Sequence, residues 1–134
     1  MPLRAFVVED NPAILQSLVE ALAELAGVRT DGSAGNEKAA VAWLTDPAHD
    51  WDVAIVDLVL EPGGGSGFGV LRALQNRPAS RKMVVLTGTA NAEVRRQCEA
   101  LGSDRVFDKS METEALIDWC LALGRDGDDR GNHP

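Results

Sequence analysis

The amino-acid sequence predicts an α/β fold: a three-layer (βα)5 sandwich on an open, parallel, five-stranded sheet. Three observations lead to it. Ala5-Phe6-Val7-Val8, Val53-Ala54-Ile55-Val56 and Met83-Val84-Val85-Leu86 are short apolar runs, rich in β-branched residues and without alternating polar positions. A strand covered on both faces reads this way, as parallel strands between helical layers do. Between the runs, apolar residues recur at three- and four-residue spacing, the period of an amphipathic helix. Strand and helix signals alternate five times, which is the pattern of a parallel sheet with crossover helices.

In chain order, the first strand covers residues 5–8. Asn11-Pro12 starts a helix well, because the Asn side chain can accept from exposed amides and Pro suits the first turn. Ile14, Leu18, Leu22 and Leu25 stripe that helix, and Val28-Arg29-Thr30 is a weak strand suited to a sheet edge. Ala40, Trp43 and Leu44 mark the second helix, and Trp51 precedes the third strand, where a structural role is expected, with a fluorescent report on a nearby site as the alternative. The stretch Leu60-Glu61-Pro62-Gly63-Gly64-Gly65-Ser66-Gly67-Phe68-Gly69 contains neither Gly-x-x-x-x-Gly-Lys nor Gly-x-Gly-x-x-Gly. It reads as a flexible connection, with a role in gating or partner recognition left open. Val70, Leu71 and Leu74 mark the third helix, and Val94, Cys98 and Leu101 the fourth. Arg105-Val106-Phe107 is a second edge-strand candidate, and Leu116, Trp119, Cys120 and Leu123 stripe the last helix. Five parallel strands of this kind commonly take the order 2-1-3-4-5, the flavodoxin-like arrangement. The domain is expected over residues 1–123, with the polar, glycine-rich segment 124–134 as a disordered tail.

Composition narrows the classes of function. A chain of 134 residues, 45% hydrophobic and 25% charged, suits one soluble globular domain. Two cysteines, Cys98 and Cys120, are too few for a disulfide framework or a zinc site, so they are expected as buried, reduced thiols. The net charge of −8 comes without a basic patch, which argues against nucleic acid as a partner. No signal-peptide pattern appears, and no run approaches the roughly 20 apolar residues of a membrane span. A cytoplasmic protein without membrane contact is expected.

In open parallel sheets, ligands bind beyond the carboxyl ends of the strands, near the point where strand order reverses. The residues there are Glu9, Asp10 and Asn11 after the first strand, Asp57 after the third, Thr87 after the fourth, and Asp108 and Lys109 after the fifth. Their chemistries complement one another. Oxygen-rich groups near the first and third strands can hold Mg2+, a hard cation that takes few protein carboxylates. Asp57 could then attack phosphorus to form an acyl phosphate. Lys109 offers a compact positive charge and Thr87 a hydroxyl donor for the remaining phosphoryl oxygens. Each residue alone has an ordinary explanation as a cap, a turn or solvated surface. Together, four complementary groups stand at the same end of four strands.

Val7-Val8-Glu9-Asp10-Asn11, Ile55-Val56-Asp57-Leu58, Val85-Leu86-Thr87-Gly88 and Phe107-Asp108-Lys109, taken in order, resemble the motifs of a response-regulator receiver domain of two-component signalling. The resemblance runs from about Leu3 to Leu123. It implies Asp57 as phosphoacceptor, Asp10 in contact with Mg2+, Glu9 acting through water, and the backbone carbonyl of Val59 as a third protein ligand. It implies that Thr87 and Lys109 bind the phosphoryl oxygens and couple phosphorylation to movement of the fourth helix and fifth strand. The implied partners are a sensor histidine kinase or phosphotransfer protein and a downstream protein target, with a homodimer through the fourth helix–fifth strand face as one output. A stand-alone receiver is expected, which catalyses its own phosphorylation and dephosphorylation. The alternatives are a degenerate receiver that only binds a partner, or an aspartyl-phosphate-forming phosphatase. The latter would resemble haloacid dehalogenases, but Asp57-Leu58-Val59 lacks their second acid.

Three departures from the family pattern stand out. Val106 occupies the position of the usual switch aromatic, and Phe107 is expected to face the other side of the sheet. Ser110 replaces the usual proline, which predicts a trans peptide and a serine free to cap the last helix. The loop after Asp57 is longer than usual by about two residues.

Overall fold

The computed structural model describes residues 2–131. Its elements alternate as β1 (Arg4–Val8), α1 (Pro12–Ala26), β2 (Arg29–Ala34), α2 (Glu37–Leu44), β3 (Val53–Val56), α3 (Gly67–Ala73), β4 (Lys82–Thr87), α4 (Ala92–Ala100), β5 (Arg105–Asp108) and α5 (Thr113–Gly131). The strands form one sheet in the order β2-β1-β3-β4-β5, with all four pairings parallel. The two weak strand signals are the two edges, as expected.

Side-chain alternation sorts the apolar runs onto two faces. Phe6, Val8, Ala54, Val56, Met83, Val85 and Val106 pack on α2, α3 and α4 through Leu44, Leu71 and Cys98. Ala5, Val7, Val53, Ile55, Val84, Leu86 and Phe107 pack on α1 and α5 through Leu18, Leu22, Leu116 and Cys120. Both faces of β3 are fully buried, which is why its sequence carries no polar alternation. The outer members of the first helical stripe, Ile14 and Leu25, are exposed. Both cysteines are buried and free. Burial pushes the Cys98 thiol up to about 11 and that of Cys120 up to about 12, so both stay protonated at neutral pH. Among the described residues, no helix is long and apolar enough to cross a membrane.

The structure differs from expectation at two places in the scaffold. β2 continues through Asp31-Gly32-Ser33 to Ala34, with a register shift opposite Ala5/Phe6. An edge strand facing water on one side can be polar, so its hydropathy hides it. The segment expected as a tail from Gly124 continues α5 as far as Gly131; residues 132–134 lie outside the described part. A helix already nucleated on Leu116 and Cys120 extends at little cost where no proline stops it. Trp51, by contrast, has the structural role expected of it, as a core residue whose Nε1 donates to the Leu44 carbonyl at 3.1 Å. It stands before β3, at the end of the strand away from Asp57.

Candidate phosphoacceptor site

The site is built from the first residues beyond β1, β3 and β5, each fixed by a continuing backbone bond. The Glu9 amide donates to the Ala34 carbonyl at 2.9 Å, Asp57 to Val8 at 2.9 Å, and Lys109 to Thr87 at 2.9 Å. These residues have therefore not left the sheet, and its alternation still directs their side chains. Val7, Ile55 and Phe107 face the α1/α5 layer. Two positions further along each strand, Glu9, Asp57 and Lys109 share that side, and they meet there.

Lys109 Nζ donates to Glu9 Oε1 at 2.6 Å and to Asp57 Oδ2 at 2.7 Å. Glu9 and Asp57 are buried, at 5% and 7% exposure, while Asp10 lies open to solvent. Burial alone would lower the Lys109 pKa, but hydrogen bonds and charge from Asp57 and Glu9 outweigh it and raise it above the ordinary lysine range. Lys109 is thus a fixed cation at neutral pH, and its ion pairs weaken only as pH climbs past that range.

One carboxylate oxygen each from Glu9, Asp10 and Asp57 lies within 4.8 Å of the others. An all-oxygen donor set of this charge suits a hard divalent cation, and the residues present fit Mg2+. Three carboxylates face a single ammonium, so the cluster retains negative charge that a cation would neutralise. Asn11 holds the adjoining corner, as expected: its Oδ1 accepts from Ala13 at 2.9 Å and Ile14 at 3.1 Å. Its own amide donates to Glu9 Oε2 at 3.2 Å.

Val59 stands two residues beyond Asp57, exposed, with its amide 3.4 Å from Asp57 Oδ1. Thr87 is fully buried, and its Oγ1 lies 3.2 Å from Thr89 Oγ1 and accepts from the Thr89 amide at 3.3 Å. Glu9, Asp57 and Lys109 are in direct contact and Asp10 joins them as a neighbouring carboxylate, whereas the Thr87 hydroxyl, at the end of β4, bonds to Thr89.

The departures also resolve. Val106 faces the α2/α3/α4 layer and Phe107 the α1/α5 layer, as alternation requires. The peptide before Ser110 is trans, since the described residues contain no cis bond. Ser110 does not cap α5, however. Its amide and hydroxyl both donate to Asp108 Oδ1, at 2.8 and 2.6 Å, and Met111 adds a third bond at 3.2 Å. The nearby carboxylate outcompetes a helix end that begins only at Thr113. These bonds, from the Ser110 hydroxyl first, hold the Asp108 carboxyl below its usual range.

Two ties were invisible in the sequence. Arg95 of α4 donates to the carbonyls of Ala90 and Val106 at 3.1 and 2.8 Å and to Glu112 Oε1 at 2.5 Å. It joins α4 to β5 where the switch aromatic is missing. The loop 60–69 is not a loose connection either: Glu37 Oε1 accepts from the Ser66 amide at 3.1 Å, and Asn36 Nδ2 donates to Glu61 Oε1 at 3.3 Å. An arginine on a polar helix and a glutamate in a first turn look like ordinary surface charges until the fold places their partners.

Comparison with known proteins agrees with this geometry. The family model described as the response regulator receiver domain matches residues 5–120. No curated protein matches the chain. Among solved structures, the receiver domain of Francisella response regulator 1452 superposes with a TM-score of 0.78 at 20% identity, covering 93% of this chain and 98% of that one. A CheY-like response regulator receiver domain protein from Methanospirillum hungatei JF-1 gives 0.77 at 21% identity, covering 97% and 99%. The phosphorylated cyanobacterial phytochrome response regulator RcpA gives 0.73 at 23% identity, covering 92% and 91%. These likenesses carry the fold, and the family match carries the assignment: the chain belongs to the response regulator receiver domains of two-component systems, which are phosphorylated on aspartate.

Proposed function

We propose that Asp57 is the phosphorylated aspartate, and that it accepts the group from the phosphohistidine of a sensor kinase or phosphotransfer protein. The observation that carries this reading is the Lys109 ammonium, held at 2.7 Å from Asp57 and 2.6 Å from Glu9. A nearly buried carboxylate next to a fixed cation can attack phosphorus without a general base. An Asp57 oxygen forms the new P–O bond as the P–N bond to the donor imidazole breaks, and the imidazole leaves with the bonding pair. Lys109 then meets charge on the phosphoryl oxygens, and Thr87 supplies a hydroxyl donor from β4. Glu9, Asp10, Asp57 and the Val59 carbonyl would hold Mg2+, whose chemistry is to neutralise phosphoryl charge during transfer. The output is a changed protein-binding surface on the α4–β5 side, which Lys109 reaches through its bond to the Thr87 carbonyl. A downstream protein or a second copy of the chain would dock there.

Acetyl phosphate with Mg2+ replaces the kinase in the test. Intact mass is expected to show a single phosphoryl group on the wild type and none on Asp57→Asn. Equal incorporation in both would remove Asp57 from its role.

A further inference from the structure

The reading of Glu9, Asp10, Asp57 and the Val59 carbonyl as the metal site leaves the glycine-rich loop without a purpose. Its contacts supply one. The Glu37 carboxylate points away from α2 and accepts the Ser66 amide at 3.1 Å, while the Glu37 amide donates to the Gly64 carbonyl at 2.8 Å. Ser66 then forms an isolated antiparallel bridge with Val59 and caps α3 through Oγ. The two sides of the loop are thus joined at Val59, and Glu37 holds the far side.

The glycines report how closely that carboxylate is packed. A methyl group on Gly69 would lie 2.1 Å from Glu37 Oε1, and one on Gly65 2.7 Å from it. Gly69 sits inside α3, where glycine costs helix stability of roughly 0.5–1 kcal/mol relative to alanine. Its backbone is not in the left-handed region, so no turn demands it. What its missing side chain provides is room for the Glu37 carboxylate. The pattern Gly65-Ser66-Gly67-Phe68-Gly69 is a socket for one carboxylate and for the backbone of Asp57.

We propose that Glu37 is a positioning residue for the metal site: by clamping Ser66, it keeps the backbone at Val59 in place beside Asp57. The proposal rests on the metal-site reading above, and it is tested by Mg2+ binding to the full chain, measured by titration calorimetry. Outer-shell partners of metal ligands typically change affinity by about 10–100-fold when removed. Glu37→Ala is therefore expected to weaken Mg2+ binding by about 10-fold or more. Glu37→Gln keeps an acceptor oxygen and restores wild-type affinity. Gly69→Ala leaves Glu37 chemically intact, removes a helix-interior glycine and displaces the carboxylate, so it reproduces the loss in Mg2+ affinity without a fall in thermal midpoint. A merely structural Glu37 would lower the midpoint and leave the Mg2+ dissociation constant unchanged in Glu37→Ala and Gly69→Ala, and that result overturns the proposal. If Glu37→Ala does not fold, Gly69→Ala decides alone. A wild type that binds no Mg2+ overturns the underlying metal-site reading as well, and so is distinct from unchanged variants of a wild type that binds it.

Discussion

Gly67→Ala is expected to destabilise the protein and to abolish ordered packing around Asp57. A methyl group there would lie 2.2 Å from the Asp57 carbonyl oxygen and 2.8 Å from the Leu58 Cα. Both are backbone atoms, so no rotamer change relieves the contact. Either β3 must shift at its carboxyl end or α3 must back away from it, and the Gly67–Leu58 hydrogen bond of 3.0 Å is lost. Overpacking of this kind typically costs about 1–3 kcal/mol, to be read from the urea midpoint. Because the displaced atoms belong to the acceptor itself, phosphorylation by acetyl phosphate should fall along with stability. Gly124→Ala is the control: nothing lies within 4 Å of its added carbon, and a glycine inside α5 gives way to a better helix former. It should be neutral or mildly stabilising. Wild-type stability in Gly67→Ala would mean that α3 does not rest on Asp57 as described.

Lys109→Met should produce the largest chemical effect short of removing the acceptor. The methionine keeps the apolar stem and deletes the charge. Glu9 and Asp57, with side chains 4% and 9% exposed, would then face each other without a counter-ion. Leaving such groups unpaired typically costs on the order of 1–3 kcal/mol. The cost stays at this modest scale because Lys109 itself is 23% exposed and water screens the pair. Added Mg2+ should recover more stability in the variant than in the wild type, since it supplies the missing positive charge. A ligand at 100 times its dissociation constant contributes about 2.7 kcal/mol. Phosphoryl transfer should slow by about 100–1,000-fold, the usual loss when one preorganised donor to transition-state charge is removed. A variant as stable and as quickly phosphorylated as the wild type would show that the two short ion pairs carry neither function.

The parts of this molecule that could be read from sequence are those governed by local chemistry. Residues 53–56 had to be a central strand, because four consecutive apolar residues need cover on both faces. Once five strands are parallel, Glu9, Asp57 and Lys109 fall at the same rim, and alternation brings them to one side. Asn11 and Pro12 mark the start of α1 by capping chemistry alone. What stayed hidden depends on distant pairings. Glu37 meets Ser66 across 29 positions, and Arg95 meets Glu112 across 17. Neither partner is marked in the sequence by anything beyond a charge. Ser110 misled for a different reason: it lies near a helix start, yet Asp108, two residues away, offers its hydroxyl a better acceptor. The polar β2 escaped hydropathy because one side of an edge strand can face water.

The central claim, that Asp57 itself carries the phosphoryl group, has a direct chemical test. Borohydride reduces an aspartyl phosphate to homoserine, releasing phosphate and leaving a permanent mark on the residue that carried it. The protein, phosphorylated with acetyl phosphate and Mg2+, would be reduced, digested and mapped by mass spectrometry. The account predicts homoserine at position 57 and at no other aspartate. Homoserine at position 10, or a phosphate that survives reduction on Thr87, would contradict it.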